Sequence, residues 1–160
     1  MNNVALHDCP FVAWRNGGGR TRELVAWPSA QDWQVRVSVA EIEADGPFSA
    51  FPGIERAFAV LDGAGVVLTL PTGNVRLGQH DDALLFDGAA TPVCRLVDGP
   101  TRDLNLMVRS AFGRARMQRG VTPAAPWRGL FAAGTLWWTD RPDEALPAMA
   151  GWHLAADHHR

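Results

Sequence analysis

The sequence predicts an all-β fold, and three observations lead to this prediction. Turn-forming residues are dense, with 16 glycines and 11 prolines among 160 residues, so the segments between turns are short. Several of these segments alternate apolar and polar residues, the period of two that is typical of a half-buried strand. Many short strands in close succession favour a sandwich or a barrel, in which pairing or closure hides the sheet edges.

The clearest strand is predicted over residues 33–41. Its valines alternate with other residues, so the side chains of Arg36 and Ser38 are expected on one face. Two further strands, residues 56–62 and 66–70, flank Gly63-Ala64-Gly65. A short glycine-containing loop between apolar runs predicts a β-hairpin.

The series continues with a reversal at Gly73 and strands over residues 83–86, 92–98 and 103–109. In the last of these Asp103 and Asn105 are two residues apart and are therefore expected on one face. After a basic stretch and a proline-rich loop, apolar runs around residues 129–140 and 146–156 predict closing strands.

Length and composition limit the architecture and the chemistry. At 160 residues the chain fits a single domain, predicted over residues 1–160. The net charge of −2 and the scattered acidic residues argue against a nucleic-acid partner. All 15 basic residues are arginine and tyrosine is absent. This composition excludes lysine Schiff bases, a P-loop lysine and a tyrosine acid or nucleophile.

The cysteines and the apolar pattern predict a cytoplasmic protein without a membrane partner. Cys9 and Cys94 form no CxxC pair and are too few to staple a secreted domain of this size, so we expect reduced thiols. The N-terminus has no signal-peptide pattern, and no apolar run approaches the roughly 20 residues of a membrane helix.

Three consecutive glycines make the segment WRNGGGRTRE, residues 14–23, the most distinctive in the chain. Glycine lets the backbone approach another group closely, so exposed N–H groups here could line a binding site that includes Asn16 and Gly18. The alternative is a tight bend packed against Trp14. The segment lacks the GxGxxG order of a dinucleotide site.

A second distinctive segment, residues 45–56, is fixed by proline and glycine and presents Phe48, Ser49 and Phe51 just before Arg56. The aromatic rings could stack on a planar ligand while the guanidinium of Arg56 grips a carboxylate. The alternative is that both rings cap the fold and that Arg56 pairs with Glu55 or Asp62.

The polar residues of three strands form a possible constellation: Arg36, Ser38, Arg56, Asp103 and Asn105. If their faces turn inward, these side chains converge. A buried guanidinium without a carboxylate costs several kcal/mol, so an inward Arg36 needs an anionic partner. That partner could be an anionic ligand, Glu41, or Asp103 in a pair that only ties strands together.

Three strings of the sequence carry a family resemblance: WRNGGGRTRE, WQVRVSVAEIEADGPFSAFPGIERAFAVLDGAG and DGPTRDLNLMVR. In order and spacing they resemble the HutD/Ves family of cupin-related proteins, over about residues 14–109. The resemblance implies a cupin-type jelly-roll or β-barrel fold. In the HutD branch it also implies a regulatory or sensing role in histidine utilisation, with urocanate or a related intermediate as effector.

The resemblance also bears on metals, because a metal-dependent cupin needs a His-x-His pair with a Glu and a further His. Residues 46–53, at the corresponding place, offer no imidazole or carboxylate. His80, beside Asp81 and Asp82, is a weak alternative, since neighbours on a strand point to opposite faces. We therefore expect no metal and no cofactor.

These observations favour a protein that binds a small planar carboxylate and does not transform it. Two alternatives remain open: an isomerase or hydrolase using Asp103, Glu41 or His80 as acid or base, and an interaction module or homodimer formed through the tryptophan-rich C-terminal part. Cys94 is expected to be a core residue. The candidate ligand-binding residues are Asn16, Gly18, Arg36, Ser38, Phe48, Ser49, Phe51, Arg56, Asp103 and Asn105.

Overall fold

Strands make up most of the computed structural model, which describes residues 1–158. The helical content of that range is one 3-10 turn, Leu6–Asp8. In chain order the strands are β1 Asn2–Ala5, β2 Phe11–Ala13, β3 Gly19–Trp27, β4 Val35–Ile42, β5 Gly46–Pro47, β6 Ile54–Asp62, β7 Val66–Leu70, β8 Gly73–Leu77, β9 Leu84–Asp87, β10 Val93–Leu96, β11 Thr101–Arg109, β12 Gly113–Arg119, β13 Trp127–Ala132, β14 Thr135–Thr139 and β15 Trp152–His158.

These strands form three antiparallel sheets. The six-stranded sheet has the order β2-β3-β4-β11-β6-β9, the four-stranded sheet β5-β10-β7-β8, and the five-stranded sheet β1-β14-β13-β15-β12. One apolar cluster joins the six-stranded sheet to the five-stranded sheet, and a second cluster joins its other face to the four-stranded sheet. The six-stranded sheet is therefore the middle layer of the fold.

The alternating pattern of β4 and β11 assigns their residues to these two faces. Val37 of β4 and Leu106 of β11 are paired and belong to the cluster shared with the five-stranded sheet. Ser38 and Asn105, also paired, lie on the opposite face. The two predicted pairs, Arg36 with Ser38 on β4 and Asp103 with Asn105 on β11, therefore lie on the same side of the middle sheet.

The all-β prediction is confirmed. Of the two arrangements that the pattern allowed, the chain has the sandwich, because the three sheets of residues 1–158 do not close into one barrel. The predicted hairpin across residues 63–65 is wrong. β6 pairs with β11 and β9, whereas β7 pairs with β10 and β8.

The turn after β6 instead carries the chain from the six-stranded to the four-stranded sheet. Gly63 has a φ of +98°, and a Cβ there would lie 2.6 Å from the carbonyl oxygen of Pro100. Only glycine suits both the dihedral and the close approach. The glycine signal was therefore a genuine turn signal, but it did not reveal which strands the turn connects.

The C-terminal tryptophans are mainly core residues. Trp127 is fully buried and Trp152 is nearly so, and both belong to the cluster beneath the five-stranded sheet. Trp138 stacks on Trp127 at 6.2 Å between ring centroids. The predicted closing strands correspond to β13 and β14, which form a hairpin, and to β15, which begins only at Trp152.

In the part of the chain that the structure describes, no helix has the length and apolar character needed to span a membrane.

The centre of the middle sheet should contribute more to the free energy of unfolding than its edge. Leu106 is fully buried, whereas Leu85 on the edge strand β9 is 49% exposed. We expect Leu106→Ala to lower the free energy of unfolding by about 2–5 kcal/mol, because it leaves a cavity between two layers. The same change at Leu85 should cost less than about 1 kcal/mol. Urea unfolding of both variants measures the difference, and equal losses would contradict the three-layer arrangement.

Candidate functional site

A cavity of about 530 Å³ opens on the face of the middle sheet that carries Ser38 and Asn105. The floor comes from β3, β4, β6 and β11, and the walls from the segment after β2 and the loop after β5. The lining residues are Val12, Ala13, Trp14, Arg15, Asn16, Thr21, Glu23, Arg36, Ser38, Ala40, Ile42, Pro47, Phe48, Ser49, Phe51, Arg56, Phe58, Asn105 and Met107.

Arg56 is the buried cation of this cavity. Its side chain is 5% exposed, and Nη2 donates a hydrogen bond of 3.0 Å to Oδ1 of Asn105. Nε and Nη1 are buried and have no hydrogen-bond partner among residues 1–158. Three aromatic rings surround the guanidinium carbon, those of Phe48, Phe51 and Phe86, with centroids 5.2, 5.5 and 5.0 Å away. Cation–π contacts partly offset the cost of burying the charge.

Arg56 has no carboxylate partner within ion-pair distance among residues 1–158. The alternative that it pairs with Glu55 or Asp62 is therefore wrong. Glu55 accepts a hydrogen bond from the backbone N–H of Ala115, and Asp62 accepts one from that of Gly63. Both carboxylates are engaged elsewhere.

The environment of Arg56 lowers its pKa to about 10, first because burial disfavours the charged form and second because Arg36 is also positive. The guanidinium is still charged at neutral pH. A buried charge with unmatched N–H groups is costly, and an anion that entered the cavity would remove part of that cost.

Arg36 has a carboxylate partner, and it is not the one expected. Its Nε lies 2.8 Å from Oε1 of Glu23, a close ion pair whose N–H direction does not meet hydrogen-bond geometry. The alternative Arg36–Asp103 pair is not formed. Glu23 reaches the cavity because the β3–β4 ladder shifts register between Glu23 and Val25, which leaves Glu23 opposite Ser38.

Asp103 lies on the same face as Asn105 but does not line the cavity. It is fully buried, and Thr101 donates a 2.9 Å hydrogen bond to its Oδ2 while Oδ1 has no partner. Burial raises the pKa of this carboxyl from 3.8 to about 7, and the hydrogen bond from Thr101 opposes the shift. The structure therefore separates Asp103 from the predicted ligand-binding group.

The glycine-rich segment forms a tight turn packed against Trp14. The N–H of Gly18 donates to Oδ1 of Asn16 at 2.8 Å and is not free to bind a ligand. At Gly19 a Cβ would lie 2.5 Å from the carbonyl oxygen of Glu41 and 3.1 Å from the Trp14 ring. The glycines serve close packing, whereas Trp14 and Asn16 line the cavity.

Eight of the ten candidate residues come together around the cavity: Asn16, Arg36, Ser38, Phe48, Ser49, Phe51, Arg56 and Asn105. Gly18 and Asp103 do not. Sequence reasoning missed Glu23 and Met107, which line the same floor. Met107 lies two residues after Asn105 on β11, so the alternation of this strand could have predicted that it lies on the same face. Glu23 depends on a register shift, which the pattern does not encode.

The other groups considered for catalysis lie outside the cavity lining. Cys94 is buried, and burial with the charges of Asp103 and Asp45 raises its pKa to about 12, so the thiol is protonated at neutral pH. His80 is exposed, and Glu41 forms an ion pair with Arg20. Within residues 1–158 no three His, Cys, Asp or Glu side chains cluster in a way that could hold a metal ion.

Comparison with known proteins finds similarity to HutD and Ves proteins, as the family resemblance of the sequence predicts. The family model HutD matches residues 6–137. An uncharacterised 21.2 kDa protein in the hutC 3′ region of Pseudomonas putida is 36% identical over 72% of this chain, and the match spans 62% of that protein. The protein Ves of Cronobacter sakazakii is 36% identical over 93% of this chain and 84% of its own length.

Solved structures support the fold. HutD from Pseudomonas fluorescens superposes with a TM-score of 0.85 over 99% of both chains, at 24% identity. The cupin domain of Schizosaccharomyces pombe Cnp3 matches 66% of this chain and 72% of its own length, with a TM-score of 0.53 and 12% identity. The fold is therefore a cupin-like β-sandwich.

The raised pKa of Asp103 predicts how stability depends on pH. Because the folded state holds the proton more tightly than the unfolded chain, this group favours folding fully below about pH 3.8, and the benefit disappears as the pH rises to about 7. Between pH 3.8 and about pH 7, each pH unit lowers the free energy of unfolding by roughly 1.4 kcal/mol at most. Asp103→Asn should therefore be more stable than the natural protein at pH 8, and its advantage should shrink at pH 5.

Urea unfolding at the two pH values measures this difference. Asp98→Asn is the matched control, because Asp98 is exposed and the same substitution there does not remove a buried carboxyl. A dependence on pH that is the same in Asp103→Asn, Asp98→Asn and the natural protein would contradict the assignment.

Proposed function

The chain belongs to the HutD family, and from this membership and the Arg56 cavity we propose that it is a metal-free, cupin-like protein that binds a small planar carboxylate. Urocanate is the proposed ligand, and the proposed role is regulation or sensing in histidine utilisation. The observation that carries the binding proposal is the buried guanidinium of Arg56, which lines the cavity without a carboxylate partner.

The carboxylate of the ligand neutralises Arg56. Nε and Nη1 have no acceptor, and Asn105 holds Nη2 so that the plane of the guanidinium is fixed before the ligand arrives. A charge-assisted hydrogen bond contributes about 1.5–3 kcal/mol, more than a neutral one. Preorganisation by Asn105 reduces the entropy lost on binding.

The ring of the ligand packs against aromatic side chains. Phe48 and Phe51 lie within 5.5 Å of the Arg56 guanidinium, so a ring attached to the bound carboxylate meets them. A planar conjugated acid keeps its carboxylate and its ring in one plane, which suits a slot between such rings. The cavity volume of about 530 Å³ is ordinary for a small-molecule site.

Polar groups at the far side of the floor recognise the ring nitrogens. Glu23 on β3 is paired with Ser38 on β4. In the sheet, β3 lies three strands and β4 two strands away from β6, which carries Arg56. The carboxylate of Glu23 accepts a hydrogen bond from a ring N–H. Because Arg36 already neutralises Glu23, the cavity can accept one further negative charge at Arg56.

Binding of urocanate should raise the melting temperature of the natural protein at millimolar concentration, because a ligand that binds only the folded state stabilises it. Arg56→Gln should weaken binding about tenfold or more, since it removes the charge and keeps a hydrogen-bonding side chain. Calorimetric titration measures the loss.

Arg76→Gln is the matched control, because Arg76 is exposed on β8 and lies outside the cavity. Formiminoglutamate and formylglutamate test other acids of the same pathway, and the neutral amide of urocanate tests the need for charge. The proposal fails if none of these acids shifts melting, or if Arg56→Gln binds as tightly as Arg76→Gln. Consumption of urocanate during the titration would favour an enzyme instead.

A further inference from the structure

A second depression, which we call the β15 groove, lies on the five-stranded sheet. It is about 940 Å³ and is formed by the ends of β12, β13 and β15 with the segments around them, 119–122 and 145–151. Trp152 and Leu154 belong to the inner cluster, so His153 between them points to the outer face of this sheet. The groove is thus separated from the Arg56 cavity by the middle sheet.

The charged side chains that line the β15 groove are arginines. Arg119 and Arg128 line it together with the imidazole of His153, whose pKa is lowered by burial, and none of its lining residues within the described range is Asp or Glu. In the Arg56 cavity, by contrast, the carboxylate of Glu23 is among the lining groups and pairs with Arg36. A one-signed lining raises the local concentration of the opposite charge.

His153 is the buried polar group of the groove. It is 5% exposed, Nδ1 lies 2.6 Å from the hydroxyl oxygen of Thr122, and Nε2 is buried without a hydrogen-bond partner. When Thr122 donates its hydroxyl proton to Nδ1, the ring proton is on Nε2. Nε2 is then a buried donor whose contact with the backbone of Met149 raises the pKa of the ring but does not meet full hydrogen-bond geometry, so the oxygen of a ligand can still accept its proton.

Arg119 is held in a fixed position at the same groove. Nη1 and Nη2 donate to the backbone oxygens of Asp81 and Gln79 at 3.1 and 2.7 Å, and the guanidinium carbon lies 4.1 Å from the centroid of the Trp152 ring. Backbone oxygens do not neutralise its charge. A preorganised cation loses little entropy when it binds an anion.

The rest of the groove is apolar. Val121 and Met149 line it and are 75% and 41% exposed, which makes them two of the few large apolar side chains left in solvent. Leu146 and Pro147 line it as well. An apolar surface beside cations suits a molecule that has an anionic end and an apolar body.

We propose that the β15 groove is a second binding site, which takes a small organic monoanion with an apolar body. The anionic group binds between Arg119 and His153, and the body lies on Val121, Leu146 and Met149. This site is independent of the Arg56 cavity, so it stands or falls separately from the proposed function.

Benzoate is the probe for this site, and benzamide is the control of equal shape without charge. Nitrogen-correlated NMR spectra follow the indole signal of Trp152 and the ring signals of His153, assigned with Trp152→Phe and His153→Gln. Benzoate should shift both signals along a saturable curve in the natural protein and, with a dissociation constant within about twofold, in Arg56→Gln and Arg76→Gln. Benzamide should bind at least about tenfold more weakly.

Arg119→Gln should weaken benzoate about tenfold or more, and Arg128→Gln serves as a second variant if Arg119→Gln disturbs the segment that it anchors. Unchanged signals of the middle sheet show that each variant is folded. The inference is overturned if benzoate causes no saturable shift, if benzamide matches it, or if both arginine variants bind normally. It is also overturned if light scattering shows that self-association, not benzoate, moves these signals.

Discussion

The burial of one sheet on both faces is the constraint on which the rest of this structure depends. In an ordinary two-layer sandwich each strand has a polar face for solvent, but β4, β6 and β11 lie between two other sheets. Any polar side chain there must find a partner or add an unfavourable free energy. Ser38, Arg56, Asp103 and Asn105 are such side chains, and all four lie on one face. The candidate site is therefore concentrated on a single surface of the middle layer.

Two buried ionisable groups on that face respond differently to the same constraint. Asp103 can take up a proton, and because burial raises its pKa to about 7, part of the cost of the buried charge is relieved near neutral pH. Arg56 cannot lose its proton in the physiological range, even with a pKa lowered to about 10. Its charge must be matched by another group, and no protein carboxylate in residues 1–158 does so. The carboxylate of the proposed ligand supplies that negative charge.

Local sequence patterns predicted which residues share a strand face, but they did not predict how the strands pair with one another. Alternation in β4 and β11 was enough to put Ser38 and Asn105 on one face, because side-chain direction depends only on position along a strand. Glu23 was missed because its place in the cavity depends on a register shift against β4. The false hairpin at residues 63–65 has the same origin, since a glycine turn fixes the chain direction but not the sheet that the next strand joins. The family resemblance supplied the cupin-like fold that periodicity could not distinguish.

A shared fold carries little information about ligand or chemistry, because this chain shares its cupin-like fold with a protein as distant in sequence as the Cnp3 cupin domain, at 12% identity. The argument for function must therefore rest on individual side chains. The two depressions described above are alike in one respect: each has a buried polar side chain with a nitrogen that has no hydrogen-bond partner among residues 1–158, Arg56 in one and His153 in the other. Such groups add an unfavourable free energy unless a partner offsets it, and in both places the partner that we propose is an anion.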